Sequence, residues 1–110
     1  MVKRNQKSAV GPDVEDALRV FGAGVRRLRL SKRLSVAASA ARAGVSPSTL
    51  IRVEKGDPSV AMGSYSAVFD VFGLLARMRE LVQSEAQRAT LLLAEERMPS
   101  RVRSSSRYDF

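Results

Sequence analysis

The sequence predicts an all-α fold, a bundle of about five helices between flexible basic tails, and three observations predict it. Apolar residues recur at steps of three and four, and no clear alternating strand pattern occurs. Serine, proline and glycine fall where short helices would start and stop. Hydrophobic residues make up 45% of the chain but aromatic ones only 5%, with no tryptophan, so the core is expected to be aliphatic. A length of 110 residues allows one domain with tails.

Residues 1–11 read as a flexible basic arm, without periodicity and closed by Gly11-Pro12. Such an arm is either disordered or lies along phosphates and in a minor groove. The first helix is expected from Pro12 or Asp13 to Leu30. Asp13, Glu15 and Asp16 suit the positive end of the helix macrodipole. Val14, Leu18, Phe21, Val25 and Leu28 step by four and three and make one continuous apolar face. Gly22 and Gly24 lower local helix propensity, and either admit close helix contacts or simply weaken the segment.

The rest of the chain is organised around Leu34 to Asp57, which reads as two short helices joined by a tight turn. Ser35 is placed to cap the first of them, and Ala37 to Ala43 supply strong helix formers. Gly44 can take the left-handed conformation that ends a helix. Ser46 caps the second, with Pro47 at its first helical position. That helix is expected to run to about Lys55, closed by Gly56 with Pro58 just beyond. Ala40, Ala43, Val45, Leu50 and Val53 can meet in one small wedge. The opposite face carries Ser48, Arg52 and Lys55, with Pro47 at its tip and Thr49 and Ile51 on its flanks. A short helix with one apolar stripe and a small, cationic outer face fits the major groove of DNA.

This stretch resembles the helix-turn-helix of the Cro and phage-repressor type, the XRE family. Ala40, Gly44, Val45-Ser46 and Leu50-x-x-Val53-Glu54-x-Gly56 fall at the family's spacing, and the resemblance extends from about Val14 to about Leu75. It implies a λ-repressor-like fold, with residues 12–98 as a DNA-binding domain that ends in a dimerisation helix. Val36 stands where a phosphate-holding glutamine is usual, which puts one backbone contact in question. Ser39 stands where a core aliphatic is usual, which implies a slightly looser core. The resemblance also implies a structural ion pair between Arg29 and Glu54, tying the first helix to the third.

A loop from Asp57 leads to a fourth helix, expected over Gly63 to Phe72, with Tyr65, Val68, Phe69 and Phe72 inward and Gly73 as its stop. Its start, with the Ser64 hydroxyl, is either an ordinary cap or, as the resembling fold implies, a grip on a phosphate. The last helix is expected from Leu74 to Met98, ending before Pro99. Leu75, Met78, Val82, Ala89, Leu92 and Leu93 approximate a stripe. It serves either as a dimer seam or as a core helix to Val82 with an amphipathic extension. Residues 99–110 read as a flexible basic tail, either disordered or ordering on a protein partner through Tyr108 and Phe110.

The formal charge of +8 favours a polyanionic partner, nucleic acid first. Residues 1–12 contribute +3 and residues 97–110 another +3. Arg26, Arg27, Arg29, Lys32 and Arg33 set five cations beside the turn. Alone such a run is a solvated helix face; next to two helices of this kind it is expected to meet DNA. With no histidine and no cysteine, the commonest bases, nucleophiles and soft metal ligands are missing, and no enzyme, metal or cofactor is expected. The lack of cysteine fits a reducing compartment, and no apolar run approaches membrane-spanning length. The expected location is the bacterial cytoplasm, at the nucleoid.

The expected function is sequence-specific binding of double-stranded DNA by a transcriptional repressor, a homodimer on a palindromic operator. Ser48 and Arg52 are expected at base edges, Arg52 bidentate to a guanine, with Pro47 and Ile51 at thymine methyls. Ser46 and Thr49 are expected at phosphates, and Ser35, Arg33, Lys55 and Ser64 complete the contact set. Gly56-Asp57-Pro58-Ser59-Val60, Gly63-Ser64-Tyr65 and Phe72-Gly73-Leu74 look like XRE regulators encoded beside HipA-type kinase toxins. That likeness implies a HipB-like antitoxin of a type II toxin–antitoxin pair, which binds the toxin and represses the shared operon. A stand-alone repressor and a helical adaptor without specific DNA binding are the alternatives.

Overall fold

A computed structural model describes residues 10–97 as five α-helices. These are α1 (Pro12–Ser31), α2 (Val36–Ala43), α3 (Pro47–Glu54), α4 (Met62–Val71) and α5 (Leu75–Arg97), with no strand among the described residues. The chain divides into two units, residues 1–75 and 76–110. The basic arm to residue 9, Met98 and the tail bearing Tyr108 and Phe110 lie outside the described residues.

In the first unit the core is small and mainly aliphatic. Leu50 and Val53 of α3, Ala40 of α2, Val68 of α4 and Val25 of α1 are buried, joined by Tyr65 and Phe72. Ala43 and Val45 pack at its edge. The side chain of Ala40 is a single methyl, which lets α2 lie close against its neighbours.

Of the two glycines in α1, Gly22 is the contact residue. A Cβ there would stand 2.4 Å from the carbonyl oxygen of Val53 and 2.5 Å from that of Glu54. Gly24 faces open space. Gly56 has φ +74°, and a Cβ on it would meet the Leu18 carbonyl oxygen at 2.5 Å. The end of α3 therefore lies backbone to backbone on α1, and only glycine fits at both positions.

The expected continuous apolar face of α1 is buried only in part. Leu18, Val25 and Leu28 take part in the core, but Val14 is 52% exposed and Phe21 49%. Twenty residues rise about 30 Å, while the eight of α3 rise about 12 Å, so the start of α1, with Val14, extends past the helix it packs on. Phe21 keeps one edge contact, with Phe69, at a ring distance of 6.2 Å and 89° between planes.

All four helices of this unit close in the same way. A residue with positive φ follows the helix, and the next N–H returns to a carbonyl five residues back: Leu34 to Arg29, Val45 to Ala40, Asp57 to Arg52 and Leu74 to Phe69. Gly44, Gly56 and Gly73 fill three of these left-handed positions, at φ between 72° and 74°; Arg33, at φ 57°, fills the fourth.

Ser39 is fully buried and its hydroxyl has no partner among the described residues, so the position where the resembling family usually has a core aliphatic holds a polar defect. Val36 is half-buried against the core.

The second unit, over its described residues, is the continuation of α5. This is one unbroken helix with no buried residue. Val82 is exposed, as are Leu81, Leu91, Leu92 and Leu93.

Candidate nucleic-acid interface

The outer face of α3 is set by which of its residues the core takes. Leu50 and Val53, three apart, are fully buried, and their burial fixes the rotation of the helix. Pro47, Ser48, Ile51, Arg52 and Lys55 are turned outward and exposed, while Thr49 is half-buried. The helix is therefore held by one stripe and offers the other.

Its start is built from hydroxyls. Ser46 Oγ accepts the Thr49 N–H at 3.1 Å and donates to Thr49 Oγ1 at 2.9 Å. Ser48 Oγ lies 3.2 Å from the same Ser46 oxygen. These three side chains leave spare donor and acceptor positions at a helix N-terminus, where anions are favoured. Ser35, an exposed residue, caps α2 in the same manner, accepting the Ala38 N–H at 3.0 Å, and its hydroxyl donates to no partner among the described residues. Ser64 does not cap α4. The helix starts at Met62 after Ala61, no side chain caps it, and half-buried Ser64 gives its own N–H to the Ala61 carbonyl at 3.0 Å.

Five cations were expected beside the turn; one of them belongs to the architecture. Arg29 Nε donates to Glu54 Oε2 at 2.6 Å and Nη2 to Oε1 at 3.1 Å, while Nη1 donates to the Leu34 carbonyl at 3.0 Å. The two side chains are 9% and 7% exposed. Hydrogen bonding to the Glu54 carboxylate raises the Arg29 pKa above the usual arginine value, against the opposing pull of burial. The pair joins α1, the turn after it and the end of α3. Arg26, Arg27, Lys32 and Arg33 are exposed, and none forms an ion pair among the described residues.

Arg52 is not free, which the sequence reading missed. Its side chain is 46% exposed, yet Nε donates to Asp57 Oδ2 at 3.0 Å and Nη2 to Ser59 Oγ at 2.9 Å. Asp57 Oδ1 accepts both the N–H and the hydroxyl of Ser59, at 2.8 and 2.7 Å. These bonds from Ser59, with Arg52 adding to them, hold the Asp57 carboxyl down at about 2. The buried Tyr65 donates its hydroxyl to the Asp57 carbonyl at 2.7 Å, and burial raises that phenol's pKa. The signal was present as Asp57-Pro58-Ser59, an acid two residues before a serine in the turn that follows a helix-ending glycine. The fork of donors expected to meet a guanine is thus partly engaged within the chain.

Among the described residues no group of three or more histidine, cysteine or acidic side chains is arranged to hold a metal, and no helix is long and apolar enough to cross a membrane. Residues 20–82 match the family model of a helix-turn-helix domain, a match that takes in α2, α3, α4 and more than half of the chain. No curated protein and no solved structure shows a significant match.

Proposed function

We infer that this chain, which belongs to the helix-turn-helix domain family, is a non-catalytic, sequence-specific repressor that acts by occupying double-stranded DNA. The observation that carries the reading is the two-sidedness of α3: Leu50 and Val53 have no exposed surface, while Pro47, Ser48, Ile51 and Arg52 stand outward beside exposed cations. In the mechanism, Arg33, Lys32, Ser35, Ser46 and Thr49 neutralise or hydrogen-bond phosphates and set the register. Ser48 reads a base edge, and Pro47 and Ile51 meet thymine methyls. Arg52 keeps Nη1 and one proton of Nη2 unengaged among the described residues, an edge with which it can reach a guanine. Lys55 sits at the C-terminal end of the ridge and meets the backbone.

One such helix buries little surface, so the chain works as a homodimer on a palindrome with half-sites about 10 bp apart or a multiple of that. The seam Leu75, Met78, Val82, Ala89 and Leu92 on α5, half-buried at its first two positions, exposed at the other three and spaced by three, four and seven, supports pairing with a second copy. The site of action is the bacterial cytoplasm, at the nucleoid. Among repressors, the likeness of residues 56–74 to regulators encoded beside HipA-type kinases supports a HipB-like antitoxin that also binds its toxin. Co-purification with the product of the adjacent gene tests this, and the lack of a complex with a kinase-like partner reduces the reading to a stand-alone repressor.

The direct test uses a duplex selected by the wild-type chain from a random pool. Arg52→Ala should lower affinity by about 1–3 kcal/mol and relax the preference at one base position. Unchanged affinity and an unchanged footprint would place the reading face elsewhere.

A further inference from the structure

On the exposed face of α3 a cation offered to a partner is already answered from within the chain. Asp57, which answers it, is fixed on every side. Its N–H donates to the Arg52 carbonyl at 3.0 Å, its own carbonyl accepts from Tyr65, and Ser59 holds Oδ1 twice. Tyr65 is rooted in the core. The carboxylate cannot follow Arg52 outward; the guanidinium comes to it and is pinned a second time by Ser59 Oγ.

An unpaired arginine on such a ridge attracts every phosphate and strengthens random and specific sites alike. Pairing it with a fixed carboxylate cancels that indiscriminate attraction. It also orders a long side chain before binding, so less freedom is lost when a base edge is met. We propose that Asp57 is a specificity-determining residue, which holds Arg52 so that it meets DNA through directed hydrogen bonds to a base and not through its charge. This rests on the DNA-binding reading above. Ser59 is the positioning residue of the same device, since it carries no charge of its own and holds both Arg52 Nη2 and Asp57 Oδ1 in place.

The experiment compares the full chain with Asp57→Asn, Ser59→Ala and the double variant Arg52→Ala/Asp57→Asn. Each is titrated by fluorescence anisotropy against a random-sequence duplex and against the duplex the wild type selects from a random pool, over a series of KCl concentrations. Circular dichroism confirms folding. Asp57→Asn should bind the random duplex more tightly, with a log K against log salt slope steeper by about 0.9 per protomer, as for one added phosphate contact. Its ratio of selected to random affinity should fall by about tenfold. The double variant should lose the added slope, because the gain comes from the freed Arg52. Ser59→Ala keeps the charges, so its slope should match the wild type while its affinity ratio falls. An unchanged or shallower slope for Asp57→Asn overturns the proposal, as does a steeper slope that survives in the double variant. If Asp57→Asn does not fold, the affinity ratio of Ser59→Ala decides. A wild type that binds neither duplex rejects the DNA-binding reading itself, which separates that failure from this one.

Discussion

Glu54→Ala should be a severe lesion although it removes one side chain at the end of an eight-residue helix. Arg29 would stay buried with its Leu34 carbonyl bond and lose the two bonds at 2.6 and 3.1 Å. Two charge-assisted hydrogen bonds at roughly 1.5–3 kcal/mol each give about 3–6 kcal/mol. The cost of removing one partner of a buried pair, about 3–5 kcal/mol, agrees. Small domains have about 5–15 kcal/mol in all, so about a fifth of the stability or more would go and Tm would fall by over about 10 °C. Replacing both partners by apolar residues, Arg29→Met with Glu54→Leu, removes the stranded charge and should recover most of the loss. Urea denaturation followed by helical circular dichroism measures all three chains. A Glu54→Ala cost below about 1 kcal/mol, or a double variant no better than the single one, would refute the assignment of a desolvated, fold-tying pair.

Three further perturbations test separate parts of the structure. Gly22→Ala should destabilise by about 1–3 kcal/mol because its methyl meets the Val53 and Glu54 carbonyls, whereas Gly24→Ala, in open space, should stabilise by about 0.5–1 kcal/mol; equal effects in thermal melts would show that α1 does not approach α3 as closely. Asp57, lowered from 3.8 to about 2, contributes stability that is full above its unfolded pKa and is lost as pH falls through its folded one. With a quarter of the side chain exposed the contribution is about 1–2 kcal/mol, so the stability gap between wild type and Asp57→Asn should close as pH drops from about 5 to about 2; a constant gap contradicts it. Arg33→Gly should relieve about 1 kcal/mol of left-handed strain and raise Tm, yet flatten the salt dependence of DNA binding by about 0.9; a loss of stability would show that the side chain, not the backbone, holds that turn.

The parts of this fold that the sequence made legible are those decided locally. Ser35 and Ser46 as caps, Pro47 at a first helical position and Gly44, Gly56 and Gly73 as stops each depend on chemistry within a turn of the residue. The rotation of α3 was equally readable, because Leu50 and Val53 are apolar and three apart. Periodicity failed where the partner's extent mattered: it says that Val14 shares a face with Leu18 and Val25, but not that the contact with the end of α3 stops at Leu18. Composition left Gly22 and Gly24 equivalent, and only the approach of the α3 carbonyls separates them. Arg29 and Glu54 lie 25 residues apart, and no local rule pairs them; a family resemblance did. Asp57 was read as part of a loop, since its hold on Arg52 depends on a turn geometry that also needs Ser59 and the Tyr65 anchor.

The central claim is that the ridge from Ser46 to Arg52 is the surface that meets DNA. Backbone amide resonances of the isotope-labelled full chain, followed by nuclear magnetic resonance as the selected duplex is added, test it residue by residue. The largest shifts should fall from Ser46 to Arg52, with smaller ones at Arg33 and Ser35. A ridge that stays still while the shifts gather on α5 or on the exposed side of α1 would contradict it.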